Sequence, residues 1–338
     1  MKLSVVDLGV VAPDTDESQA LAASVRFAQD LEQLGYHRIW FAEHHASRMG
    51  ASHHPELLIA AVGAQTSKIR VGSGAVLMNH YSPFKVAEMF KQLEAMYPGR
   101  VDLGMGRATA GPVLDIALQQ NRQQPAQADH PQQIAETLAW LYDDFPIEHP
   151  FGEIKLMPSV PSVPQTWLLG SSPNGSNLAA GLGIGYTFAG FINPAGAAPA
   201  MRHYREQFQP REYGLTEPRA ILAVNVTVGE TAAEAARLVS SAQAYYGRVG
   251  RGDLSALIPA ADVAVRELSA LGQQQPTGIV DGQWPQFVAG DPGQVCATLE
   301  QMVEESGADE IMVQCFVPDP ADRLHSHRLL AEALGVTQ

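Results

Sequence analysis

Short apolar runs recur along the chain, each followed by a segment whose apolar residues return every third or fourth position. The first run covers residues 3–9. After it Leu21, Val25, Ala28, Leu31 and Leu34 line one face of a predicted helix that Gly35 stops. "RIWFAE" at 38–43 predicts a second strand, and Pro55 opens a helix with Leu57, Leu58, Ala61 and Ala64 on its inner face. "IRVGSGAV" at 69–76 is the third strand. Ser82 and Pro83 suit the N-cap and first turn of a helix carrying Val86, Phe90, Leu93 and Tyr97, and "RVDLGMG" at 100–106 is the fourth strand.

The rhythm breaks over residues 109–165, a polar, Gln- and Pro-rich excursion with one short helix around 134–142. It resumes with "TWLLG", a helix over 174–182, "GYTFAG", a helix over 194–208, "AILAVNVTV" and a helix over 232–246. A second irregular region, 247–289, precedes a helix opened by Asp291 and Pro292 and closed by Gly307. "EIMVQCF" is the eighth strand, and a helix over 320–334 ends the chain. Strands without polar alternation, each followed by a helix, are buried on both faces. The reading is α/β: a single (β/α)8 TIM barrel over 1–338, with insertions after strand four and before the helix preceding strand eight. A doubly wound open sheet competes, but no GxGxxG follows the first strand.

Among the 338 residues, 36 acidic against 22 basic side chains leave a net charge of −14, the wrong sign for gripping nucleic acid phosphates or an anionic membrane. No apolar run is long enough to cross a bilayer, and the N-terminal run is interrupted by Asp7 and Gly9 rather than built as a signal peptide. Two cysteines, Cys296 and Cys315, make no disulfide framework, so a cytoplasmic protein is expected.

In such barrels chemistry sits at the C-terminal strand ends. Strand two ends on Glu43, His44 and His45. Because side chains alternate along a strand, one of the two histidines at most faces the mouth while the strand continues. Two readings stand: a proton-handling site, or a satisfied polar cluster at a strand end. His44, His45, His53 and His54 also raise a metal reading, against which neither HExxH nor His-x-His spacing is present. Arg107 follows strand four behind Gly104 and Gly106, and "GSSPNGSN" at 170–177 precedes a helix, which together describe a phosphate clamp; the alternatives are an Arg107 ion pair with Asp102 or Glu43 and a plain helix cap. "VGSGAVLMN" is flat enough for a planar ring to lie on, or is a tightly packed bulged strand. A proton-transfer histidine, a flat surface and a phosphate clamp on one face point to a phosphorylated ring cofactor such as FMN. Trp167, Trp284 and Phe151 are candidate pocket walls or ordinary packing.

In "FAEHH", "TSKIRVGSGAVLMNHYSPFKVAEMFKQLEAMYPGRVDLGMGRA", "LLGSSPNGSNLAAGLG" and "GADEIMVQCF" the chain resembles the bacterial luciferase-like, flavin-dependent monooxygenase superfamily, and in particular its uncharacterised luciferase-like oxidoreductases. The resemblance spans most of the barrel, in order. It implies an FMN-dependent monooxygenase that uses reduced flavin (FMNH2) and O2 on a small organic substrate, the flavin being delivered by a separate NAD(P)H-dependent flavin reductase. It implies His44 as acid or base near the flavin and Glu43 arranging the ring side. Gly74 and Ala75 would form a bulge, often a non-proline cis peptide, under the flavin. Arg107, Ser171, Ser172, Gly175 and Ser176 would surround the phosphate, and Asn79 and His80 would line the mouth. No metal ligand set is implied. Gly106 stands where light-emitting members carry a reactive cysteine, which sets this chain apart from them. Alternatives are a deazaflavin-dependent hydride-transfer enzyme, a flavin-binding protein without turnover, and a metal-dependent hydrolase. The helices over 55–67 and 83–97 pair across a two-fold axis in related barrels, so a homodimer is expected.

Overall fold

Eight parallel strands close on themselves. The computed structural model describes residues 1–108, 112–118, 130–253, 255–272 and 275–336. Its first part runs β1 (Lys2–Asp7), α1 (Glu17–Gln33), β2 (Arg38–Phe41), α2 (Pro55–Gly63), β3 (Arg70–Ser73), β4 (Val76–Leu77), a single turn over Met78–His80, α3 (Pro83–Met96) and β5 (Val101–Gly106). The excursion contributes α4 (Pro112–Leu118) and α5 (His130–Tyr142). Then come β6 (Gln165–Gly170), α6 (Pro173–Leu182), β7 (Gly185–Ala189), α7 (Pro194–Gln207), β8 (Ala220–Val228) and α8 (Ala232–Gly250). The chain ends with α9 (Ala261–Leu271), β9 (Phe287–Gly290), α10 (Pro292–Ser306), β10 (Glu310–Gln314) and α11 (Pro320–Ala333).

The ring order is β1, β2, β3, β5, β6, β7, β8, β10 and back to β1, closed by β8 and β10 in register from Ile221 with Glu310 to Asn225 with Gln314. Period-two alternation separates two cores. Val6, Trp40, Trp167, Ile221 and Met312 fill the lumen, while Leu3, Val5, Ile39, Phe41, Leu222 and Val313 meet the helices. Asp16 and Asp291 each form a capping box with the glutamine three residues on, and Gly307 ends α10 at φ 70°, while Ser82 stands at the N-cap of α3 without a side-chain cap bond.

The N-terminal end of the lumen is held by charge. Arg38 donates to Asp102 at 2.7 Å and to Glu310 at 2.7 Å, Arg70 pairs with Asp102 at 2.5 Å, and Trp40 Nε1 donates to Asp102 at 2.9 Å. Burial pushes the Asp102 carboxyl up, but Arg38 and Arg70 outweigh it and hold it below the ordinary range. Asp102 is thereby committed to the opposite end of the barrel from Arg107, so the ion pair considered between them does not form.

The barrel agrees with the sequence reading, and several details differ: the excursion holds α4 besides the one helix expected there, and Leu57, expected on the inner face of α2, is exposed. β2 ends at Phe41, so strand alternation does not govern His44 and His45. The third strand is broken where the resemblance places a bulge: β3 pairs with β5 at Val71 and Gly72, β4 pairs with it again at Val76 and Leu77, and the Gly74–Ala75 peptide between them is cis, as that resemblance implies. The region 247–289 is not irregular throughout. It holds α9, whose Ala264 and Leu268 bury one face, and β9, which pairs with β8 from Asn225 to Val228. The Gln-rich run 119–129 lies outside the described residues. No helix among the described residues is long and apolar enough to cross a membrane.

Candidate active site

Beyond β2 the chain is pinned beside Ser52, whose hydroxyl donates to the Ala42 carbonyl at 2.5 Å and whose carbonyl accepts from the His44 N–H at 3.1 Å. This turn sends two neighbouring side chains different ways. Glu43 is buried, and its carboxylate accepts three hydrogen bonds: Tyr81 Oη donates to Oε1 at 2.9 Å, His45 Nε2 lies 2.6 Å from the same oxygen, and the Leu77 N–H donates to Oε2 at 2.9 Å. Burial, and then Glu43 itself, raise the Tyr81 phenol well above its usual pKa, so it stays a donor.

His44 points the other way and is exposed. The protein around it still desolvates the ring, and this first, then His45 and His53, lower its pKa below 6.5. An exposed imidazole that is neutral at pH 7 can accept a proton. His53 Nδ1 lies 2.6 Å from the His44 carbonyl and steadies its backbone. Behind it the His45 ring meets His54 edge-on at 5.7 Å and His80 at 6.3 Å. His80 is buried, and burial lowers its pKa against the pull of Asp115 and Glu43. Asn79 Nδ2 donates to the Ala108 carbonyl at 3.1 Å, while its Oδ1 has no partner among the described residues. Among the described residues no three His, Cys, Asp or Glu side chains are arranged to hold a metal ion.

Next to this cluster the floor is backbone. A Cβ on Gly74 would stand 3.1 Å from Trp40 Cβ and Val6 Cγ2, one on Gly106 would stand 3.0 Å from Ala75 Cβ, and one on Gly104 would collide with the Ser73 carbonyl. Glycine alone lets these strand ends approach, and it leaves a surface without side-chain relief.

One strand further round, β6 runs into the serine loop. Ser172 occupies the N-cap of α6 without a side-chain cap bond, and Pro173 follows as the first helical residue. Tyr186 Oη donates to the Ser172 carbonyl at 3.2 Å and Asn193 Nδ2 to the Ser171 carbonyl at 3.0 Å, which fix the loop from behind. A Cβ on Gly170 would come 3.8 Å from the Gly175 Cα, so strand end and helix start lie side by side. Arg107 is exposed just past β5, the neighbouring strand; burial first and Arg107 second lower the pKa of His130 at the start of α5. Ser176 differs from its neighbours, being buried with its hydroxyl donated back to the Pro173 carbonyl at 2.7 Å. A helix start without a side-chain cap, two serines and a guanidinium thus stand on adjacent strand ends, donors of the kind an anion takes.

The fold therefore brings Glu43, His44, Gly74, Ala75, Asn79 and His80 to one side of the mouth, and Arg107, Ser171, Ser172 and Gly175 to the next strand ends. Sequence reasoning missed His45 and Tyr81 as partners of Glu43, because a tyrosine between a short turn and a helix carries no signal beyond packing. Of the candidate walls, Trp167 lies in the lumen, Phe151 stacks on Trp140 at 5.2 Å in the excursion, and Trp284 lines a lateral cavity of about 510 Å³ with Asn193 and Glu305.

Comparison with known proteins bears on the family and the fold. The family model described as luciferase-like monooxygenase matches residues 1–310. Uncharacterized protein YceB of Bacillus subtilis (strain 168) is 37% identical over 98% of each chain. N-acetyl-S-alkylcysteine monooxygenase of the same organism is 36% identical over 71% of this chain and 72% of its own. Among solved structures, apo-MsnO8 is 40% identical with a TM-score of 0.89, covering 99% of this chain and 98% of that one. Two more distant structures share the fold: the oxygenating constituent of 3,6-diketocamphane monooxygenase from Pseudomonas putida in complex with FMN (21%, TM-score 0.69, 98% and 97% covered) and an F420-dependent secondary alcohol dehydrogenase (13%, TM-score 0.65, 100% and 99% covered). With a match that spans most of the barrel and identities of this size over nearly the whole chain, the protein belongs to the luciferase-like monooxygenase family.

Proposed function

We propose that the protein is an FMN-dependent monooxygenase that oxidises a small organic substrate with O2, its reduced flavin being delivered by a separate NAD(P)H-dependent reductase. One observation carries the reading: an exposed His44 whose pKa is lowered, a floor of glycines and Ala75, and an uncapped helix start beside two serines and Arg107 stand on the consecutive strand ends β2, β3 to β4, β5 and β6. The residues suit a flat, phosphorylated cofactor. Gly74, Ala75 and Gly106 would carry the ring, while Arg107, Ser171, Ser172 and the first turn of α6 at Gly175 would hold the phosphate. Ser176 would support that turn from inside. When bound, reduced FMN supplies the electrons that activate O2.

The chain's own residues have separate tasks. His44 takes or returns a proton at its imidazole, and the Glu43 carboxylate, held by Tyr81, His45 and Leu77, fixes the wall beside the ring. Asn79 and His80 narrow the mouth against Ala108 and Asp115 and limit water entry. The homodimer would form through α2 and α3, where Leu57 and Met96 stand 67% and 51% exposed.

The deciding experiment loads the purified protein with reduced FMN under anaerobic conditions, adds aerated buffer and follows absorbance by stopped flow. A long-lived spectrum distinct from that of oxidised FMN is expected. Tight binding of the deazaflavin F420 with none of FMN would replace this reading by hydride transfer.

A further inference from the structure

Two carboxamides in the lumen take no part in the site described above. Gln314 ends β10, Asn225 lies in β8, and the two are partners in register. Gln314 stands between Met312 and Phe316 in the alternation, and Asn225 follows Ile221 and Ala223, all four of them lumen residues, so both amides face inward. The two residues are 5% and 4% exposed. Neither Gln314 Oε1 nor Asn225 Oδ1 meets a donor among the described residues. The orientation of Asn225 is fixed, because its Nδ2 donates to the Gln286 carbonyl at 3.2 Å, which leaves Oδ1 as the unpartnered atom. On the adjacent β7, Thr187 alternates with the outward-facing Tyr186 and Phe188 and presents a third unpartnered group, its hydroxyl.

Buried acceptors without donors are destabilising, and folding alone gives no reason to keep them where methionine or leucine would fill the same space. Their surroundings are aromatic. Tyr246 packs edge-on against Phe287 at 5.3 Å and Phe316 at 5.4 Å, and Tyr245 stacks on Phe316 at 5.8 Å. Burial pushes the Tyr246 phenol up to about 12, with a hydrogen bond from Asn225 pulling against it, so the wall is uncharged. The strands involved, β7, β8 and β10, lie with β1 on the arc of the ring away from the strand ends that carry His44, the glycine floor, Arg107 and the serine loop.

We propose that Asn225 and Gln314 form the polar end of the substrate pocket: their carbonyl oxygens accept hydrogen bonds from an O–H or N–H group of the substrate, whose apolar remainder lies against Tyr246, Phe287 and Phe316. The substrate class is thus an apolar or aromatic molecule with one hydrogen-bond donor. This rests on the monooxygenase reading.

The test uses the full chain. Without ligand, Gln314→Met removes an unsatisfied group at nearly constant volume and raises Tm by about 1 to 4 °C, and Thr187→Val raises it as a second, near-isosteric check. FMN affinity stays within about twofold in both variants, since the cofactor strand ends are elsewhere. Benzyl alcohol and benzyl methyl ether serve as calorimetric probes. The wild type binds the alcohol about tenfold or more tighter than the ether, and Gln314→Met brings the two within about twofold. A lower Tm in both variants, or equal affinity of the wild type for the two probes, overturns the proposal. Failure of the wild type to bind FMN would sink the cofactor reading instead, and the Tm comparison would still judge the amide pair.

Discussion

The backbone N–H of Leu77 donates to the buried carboxylate of Glu43 at 2.9 Å, tying the end of β2 to the segment that resumes pairing after the Gly74–Ala75 break. The same carboxylate holds Tyr81 and His45. Glu43→Gln keeps the shape but turns one acceptor oxygen into a donor, which faces donors already present. The expected result is a loss of about 1–3 kcal/mol in a denaturant titration. Tyr81→Phe removes a donor cleanly and costs about 1 kcal/mol. If Glu43→Gln melted with the wild type, the carboxylate would have no fastening role.

His44→Ala should leave the FMN dissociation constant within about twofold and reduce turnover by roughly 10²- to 10⁴-fold, the span of general acid–base catalysis. Desolvation by the surrounding protein, then His45 and His53, lower the His44 pKa from 6.5, so the residue is an available base above that pH and is protonated as pH falls through the lowered value. The rate profile of the wild type therefore has an acid limb below pH 6.5, and His44→Ala removes it. An unchanged acid limb would assign that proton to another group.

Arg107→Ala removes the guanidinium from the proposed phosphate site. FMN binding should weaken by about 1.5–3 kcal/mol, the contribution of a charge-assisted contact, with riboflavin binding unaffected. Equal losses for FMN and riboflavin would place the arginine away from the phosphate.

Acid stability is governed far from the mouth. Burial and then Arg323 lower the pKa of His327, on α11, to about 3, and Tyr36 Oη sits 2.9 Å from its Nδ1. A histidine whose folded pKa lies below its unfolded value of 6.5 contributes stability that is full above 6.5 and is lost as pH falls toward 3. The slope is about 1.4 kcal/mol per pH unit. His37, lowered to about 4 by burial and Arg38, acts in the same direction. Denaturant midpoints measured from pH 7 to pH 4 should fall in the wild type and fall less steeply in His327→Gln, where His37 still contributes.

Leu57 on α2 tests the assembly. Leu57→Glu places a charge on the proposed two-fold face, and sedimentation should shift from dimer to monomer at micromolar concentration, with flavin binding per chain unchanged. A wild type that sediments as a monomer removes the idea.

The barrel was legible because buried parallel strands read as apolar runs and because Asp16, Asp291 and Gly307 punctuate helices in ways that sequence alone displays. β9 was not, since four residues, "FVAG", carry no alternation. α9 left a signal that was passed over: Ala264 and Leu268 four apart, then Gly272 at φ 61°. Within the site, Glu43 and His44 stood out because charged residues seldom end an apolar strand. Asn225 and Gln314 did not, because a single amide inside a buried parallel strand has no periodic signature, and only register brings the two together.

The Arg38, Asp102 and Glu310 network clamps the lumen at the end away from the mouth, and Arg70 and Trp40 complete it. Chain closure thus draws on residues other than those proposed for recognition, with the packed layer of Val6, Trp167 and Met312 between them. Change at the mouth is uncoupled from the integrity of the ring. A library that randomises Asn225, Gln314 and Tyr246 should contain folded members in large proportion, which makes this barrel a starting point for altered selectivity rather than a structure tuned to one molecule.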